Sequence, residues 1–162
     1  MLRKQIIGVP PSASALVPGR IDIAAVATVL VTSEDPGHPV DDAFDGNGGP
    51  GGSRWVAGET GEQAVILAFD APHSIRRVVL EVEERVVART QELHLAASCD
   101  GGQTYRELLR QEYNFSPPGT TFEREDWAVA AEGVTHLRLV IRPDKGDKPC
   151  RATVTSLALW GG

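Results

Sequence analysis

The stretch Glu112-Tyr113-Asn114-Phe115-Ser116-Pro117-Pro118-Gly119-Thr120 places two aromatic rings beside an amide and a carboxylate, next to two rigid prolines. A sugar needs that combination, because its C–H face packs on a ring while its hydroxyls take amide, carboxylate or guanidinium partners. The same chemistry recurs at Arg54 and Trp55, and at Arg89. Arg54, Trp55, Arg89, Tyr113, Asn114 and Phe115 are therefore the candidate ligand contacts. Tyr113 and Phe115 suit a second role equally well, as apolar plugs closing one end of a core.

The segment Asp41-Asp42-Ala43-Phe44-Asp45-Gly46-Asn47-Gly48-Gly49 offers carboxylates and loop carbonyls, which are ligands for a hard cation. No Lys or Arg lies between Arg20 and Arg54 to compete. The spacing fails as an EF-hand, since a loop begun at Asp41 has Ala43 third and Gly52 twelfth, where a bidentate Glu is required. A solvated acidic turn, its Asp side chains bonded to backbone, satisfies the pattern without an ion. His38, His73, His94 and His136 lie in separate segments with no zinc spacing. Neither a Gly-x-Ser-x-Gly nucleophile elbow nor a Gly-x4-Gly-Lys-Ser/Thr phosphate loop occurs. The chain reads as non-enzymatic.

These residues must be positioned by a chain of 162 residues that carries 17 Gly and 11 Pro. Such frequent turn formers disfavour a helical bundle and favour short strands. From Ile21 onward, β-branched runs with period-2 alternation predict strands at 25–33, 63–69, 75–83, 91–99, 104–111, 120–123 with 127–130, 136–142 and 151–160. One face of 75–83 is Val78, Leu80 and Val82, and one face of 136–142 is Leu137, Leu139 and Ile141. Alternation with a single apolar face predicts antiparallel sheets packed face to face, an all-β sandwich of about eight strands. Asp100-Gly101-Gly102 between Ser98 and Tyr105 reads as a hairpin turn. Three long connections remain, Glu34 to Glu62, Glu84 to Gln91 and Glu112 to Asp126. They hold every candidate contact, as functional loops do.

Residues 1–20, with Pro10-Pro11 and Pro18-Gly19, read as a tail or surface arm before a domain at 21–162. The apolar run near the N-terminus is too short for a signal-peptide core, and no window reaches the ~20 apolar residues of a membrane span. The expectation is a cytoplasmic protein with no membrane contact, in which Cys99 and Cys150 are reduced and at least half-buried. A net charge of −6 makes nucleic acid an unlikely partner.

Five pieces in order resemble the discoidin family, also called coagulation factor 5/8 C-type, of the galactose-binding-like superfamily. They are Val31-Thr32-Ser33, Ala43-Phe44-Asp45-Gly46-Asn47 with Arg54-Trp55, Gln63 to Ile75, Ser98 to Tyr105, and Ser156-Leu157-Ala158-Leu159-Trp160-Gly161. The resemblance implies a jelly-roll sandwich whose end loops bind glycans, lipid head groups or proteins without catalysis. It also implies a structural calcium at Asp42, Asp45 and Asn47, although the Glu that completes such sites on the last strand is Ser156 here. The expected function is a noncatalytic module for carbohydrate or a similar polyhydroxylated ligand. The alternative is an intracellular protein-interaction or assembly module, resembling the amino-terminal domain of a DNA-repair scaffold protein.

Overall fold

The computed structural model describes residues 19–162. The surface arm expected over 1–20 lies almost wholly outside that range, as does the N-terminal run on which the cytoplasmic reading rests. Among these residues, eight strands follow one short helix. They are α1 (Ile23–Val26), β1 (Ala27–Val31), β2 (Trp55–Val56), β3 (Gln63–Glu83), β4 (Arg89–Ser98), β5 (Arg106–Phe115), β6 (Phe122–Arg142), β7 (Thr153–Val154) and β8 (Ser156–Trp160). A 3₁₀ turn, Val40–Ala43, sits in the long β1–β2 connection.

All strand pairings are antiparallel, as the alternation predicts. The larger sheet runs β1-β3-β6-β4-β5, with β8 added to β3. β3 and β6 each span 21 residues, and their register is interrupted between Ala68 and Arg77. Before the break β3 pairs with β1, and after it with β8. The sheet thus turns a corner and closes on itself as two layers, which is how one long strand serves both sides of a sandwich. Leu67, Leu137 and Leu139 from one layer meet Val78, Leu80 and Val82 from the other, in one core cluster.

Two segments differ from expectation. The predicted loop from Glu112 to Asp126 is strand almost throughout: β5 continues to Phe115, a tight turn closed by the Ser116 N–H to Thr120 O bond (3.0 Å) follows, and β6 begins at Phe122. The two prolines, Gly119 and Thr121 interrupt the ladder there. The charged run Glu123 to Asp126 is a strand whose residues alternate between buried or half-buried and exposed. Likewise Asp70 to Ser74 is the corner of a continuous strand, not a gap between two. Cys99 and Cys150 are free thiols, Cys150 buried as expected but Cys99 exposed. Among the described residues no helix is long and apolar enough to cross a membrane.

One end of the sandwich gathers the connections 84–88, 116–121 and 143–151. Glu84 N–H donates to Thr121 O (2.8 Å), Lys145 N–H to Thr90 O (2.7 Å) and Lys148 Nζ to Ala88 O (2.5 Å).

Candidate functional site

Of the six residues expected to touch a ligand, Arg89, Tyr113, Asn114 and Phe115 lie at this end of the sandwich, where β4 and β5 pair. Trp55 is fully buried on β2, its indole N–H donating to Ser33 O at 3.0 Å. Phe115 is fully buried and Arg89 nearly so. The Arg89 guanidinium lies 4.9 Å from the Phe115 ring centroid and donates to Glu84 Oε1 (2.8 Å), Gln91 Oε1 (3.1 Å) and Pro143 O (2.9 Å). Tyr113 is half-buried, edge-on to Phe115 at 4.9 Å, and its hydroxyl donates to Phe122 O at 3.2 Å. Asn114 is exposed and accepts from the Thr90 hydroxyl. Arg89, Tyr113 and Phe115 do come together, but as an internal plug. No hydrogen bond joins Arg54 or Trp55 to them among the described residues. In this arrangement Phe115 presents no exposed face on which a sugar could stack.

Opposite Arg89 sits Glu123, 2% exposed. Burial, reinforced by Glu125 and opposed by Arg89, pushes its carboxyl up to about 7. Burial also raises the Tyr113 hydroxyl, with Glu123 and Glu125 adding to the effect.

Asp42 lies in the 3₁₀ turn, while the Asp45 carboxylate accepts the Asn47 N–H at 2.9 Å and the Ser53 hydroxyl. The carbonyls of Asn47, Gly48 and Gly49 pack against Gly52. No group of three or more His, Cys, Asp and Glu side chains gathers as a metal site among the described residues. The Asp45 carboxylate is thus already hydrogen-bonded within its own loop.

An open cleft lies elsewhere, along the outer edge of β8. The segment after Gly19 runs beside that strand: Ile21 N–H donates to Leu159 O (2.9 Å), Gly161 N–H donates to Gly19 O (2.8 Å), and Arg20 bridges to Trp160. Gly19 needs its positive φ of 83° to make this approach, and a Cβ there would meet Gly161 O at 2.7 Å. Across from this segment the β1–β2 connection brings up Phe44, Asp45 and Gly46. The space between is about 310 Å³, walled by Arg20, Asp22, Phe44 and Asp45 over a floor that includes Leu157 and Ala158.

The Arg20 guanidinium lies 4.8 Å from the Trp160 ring centroid, and Arg77 lies 4.4 Å from the same centroid. Partial burial draws the Arg20 pKa down from the ordinary guanidinium value. Asp22 is exposed and makes no side-chain cap to α1. One cation, two carboxylates and a half-buried ring therefore face one cavity, where they can accept and donate hydrogen bonds around an apolar floor. Sequence reading missed Arg20 and Asp22, which fall at the edge of a Pro-rich stretch with no local signal of chemistry. It used Phe44 and Asp45 only as a fold motif and an ion ligand.

No protein-family model matches the chain, and no curated protein matches it by sequence. Solved structures do match in shape. A Clostridium perfringens family 32 carbohydrate-binding module, in complex with GalNAc-β-1,3-galactose, superposes with a TM-score of 0.59 at 19% identity, over 88% of this chain and 99% of that one. A chitosan-binding module from a Paenibacillus chitosanase/glucanase gives 0.57 at 18%, over 87% and 99%. The C-terminal domain of a Bacteroides fragilis chitobiase gives 0.63 at 14%, over 88% and 97%. The chain thus shares the β-sandwich fold of these three structures.

Proposed function

We propose that the chain is a noncatalytic carbohydrate-binding module that holds a sugar ring in the cleft beside β8. The observation that carries this is the meeting of Phe44, Asp22, Asp45 and Arg20 around one cavity, on a fold whose solved examples include a module complexed with a disaccharide. The Phe44 ring supplies a surface for sugar C–H groups, the carboxylates accept hydroxyl protons and the guanidinium donates to ring or hydroxyl oxygens. A volume near the lower end of ligand pockets suits a single ring more than a long chain buried along its length.

Titration calorimetry against neutral, acidic and amino saccharides tests this. The expected result is saturable binding of at least one class, weakened about tenfold or more in the folded Phe44→Ala variant, a loss of about 1.4 kcal/mol in affinity measured separately from the stability lost where Phe44 packs on the core. If no saccharide bound at millimolar concentration, the carbohydrate reading would be abandoned. If one bound with equal affinity to the wild type and Phe44→Ala, the cleft would be the wrong place.

A further inference from the structure

The glycine-rich loop that carries Asp45 and Gly46 into the cleft is held from beneath by two carboxylates of β3. Glu81 Oε1 accepts the Gly49 N–H at 2.7 Å. Glu83, 4% exposed, accepts the Gly51 N–H through both oxygens at 3.1 and 3.2 Å and also pairs with Arg85 at 3.2 Å. Gly49 and Gly51 have φ of 84° and 81°, values that glycine adopts without strain. A Cβ on Gly48 would meet both Glu81 oxygens at 3.0 Å, so the carboxylate lies directly against the loop.

Glu81 is also the Cα partner of Ser156. The resemblance to the discoidin family places an ion-binding Glu at position 156. In this chain the carboxylate stands one strand over, and it receives backbone N–H groups in place of a cation.

We infer that Glu81 and Glu83 replace a structural cation: charge-assisted bonds from the loop's own amides set the loop, and with it one wall of the cleft, without calcium. A carboxylate can do this because bonds from N–H to an ionised acceptor are shorter and stronger than neutral ones. Of the loop carbonyls, Gly49 O accepts the Gly52 N–H at 2.9 Å, and Asn47 O and Gly48 O pack close beside Gly52. Glu81 and Glu83 are positioning residues. The consequence for sugar affinity rests on the proposed function, whereas the consequence for the loop does not.

The test is amide hydrogen exchange by NMR on the sugar-free protein, with and without a chelator, in the wild type, Glu81→Ala and Glu81→Gln. Chelator should leave the Gly49 and Gly51 amides and the melting temperature unchanged. Glu81→Ala should speed Gly49 exchange about tenfold or more, the scale of losing a hydrogen bond to a charged acceptor, with Glu81→Gln intermediate. A chelator-induced fall in melting temperature, reversed by calcium, would overturn the inference. Gly49 protection unaltered in Glu81→Ala would do the same. Where a saccharide binds, its affinity should be insensitive to chelator and lowered in Glu81→Ala. A protein that bound no sugar but passed the exchange test would retain the loop assignment and lose only the carbohydrate reading.

Discussion

Glu123 is a buried acid whose two carboxylate oxygens have no hydrogen-bond partner among the described residues. Its nearest compensating charge, Arg89, is already committed to Glu84, and Glu125 repels it. The folded state therefore prefers the protonated form, with the carboxyl raised from its ordinary range to about 7. For a raised carboxyl, the stabilising contribution is complete below the unfolded pKa and is lost as pH rises through the folded one. Stability should accordingly decline between about pH 4.5 and 7 on this account. Glu123→Gln should be more stable than the wild type above neutrality, on the order of 2 kcal/mol, and indistinguishable at low pH. Denaturant titrations at two pH values check this, and an equal ΔΔG at both would contradict it. Trp55 makes a complementary case. As a fully enclosed side chain with one indole bond, Trp55→Ala should cost about 3–5 kcal/mol and leave the sugar affinity of the folded fraction unchanged. Its burial was not legible in the sequence, because an Arg-Trp pair in a Gly-rich stretch has the same composition on a binding surface as at a core rim.

Among the elements, the loop 45–52 has an exacting local geometry. A Cβ on Gly52 would collide with Asn47 O and come within 3.0 Å of Gly48 O and Gly49 O, all backbone atoms that cannot swing away. Gly52→Ala should destabilise the protein by about 1–3 kcal/mol and weaken saccharide binding by displacing Asp45, measurable by calorimetry on the purified variant. Most strands were readable: the alternation in 75–83 and 136–142 put Val78, Leu80, Leu137 and Leu139 on the buried face where they lie. What escaped was continuity. Asp70, Pro72 and Ser74 look like a loop but form the corner of β3. The Glu123-Arg124-Glu125-Asp126 run reads as a charged outer face turning into a loop, yet it directs Glu123 inward. Period-2 reasoning assigns polar runs to solvent and has no term for a buried acid.

For the whole molecule, the two-layer sandwich followed from patterning and motif order because both are properties of neighbouring residues. The cleft did not follow, because it joins residues 20–22, 44–46 and 157–158, brought together by strand pairing at the β8 edge. Of the three long connections, 34–62 supplies one wall of the cleft, while 84–91 and 112–126 contribute the Arg89–Phe115 plug and its covering bonds. The chain thus keeps a fold known from sugar-binding modules while its candidate contacts lie along a strand edge. The most direct test of that placement is an NMR titration of the labelled protein with a saccharide that binds in the calorimetric panel. The predicted result is that shifts concentrate at the amides of Arg20, Asp22, Phe44, Asp45 and Gly46, with residues 84–88 and 143–151 nearly silent. Shifts centred on 84–88 and 143–151, with 20–22 and 44–46 unmoved, would contradict the account.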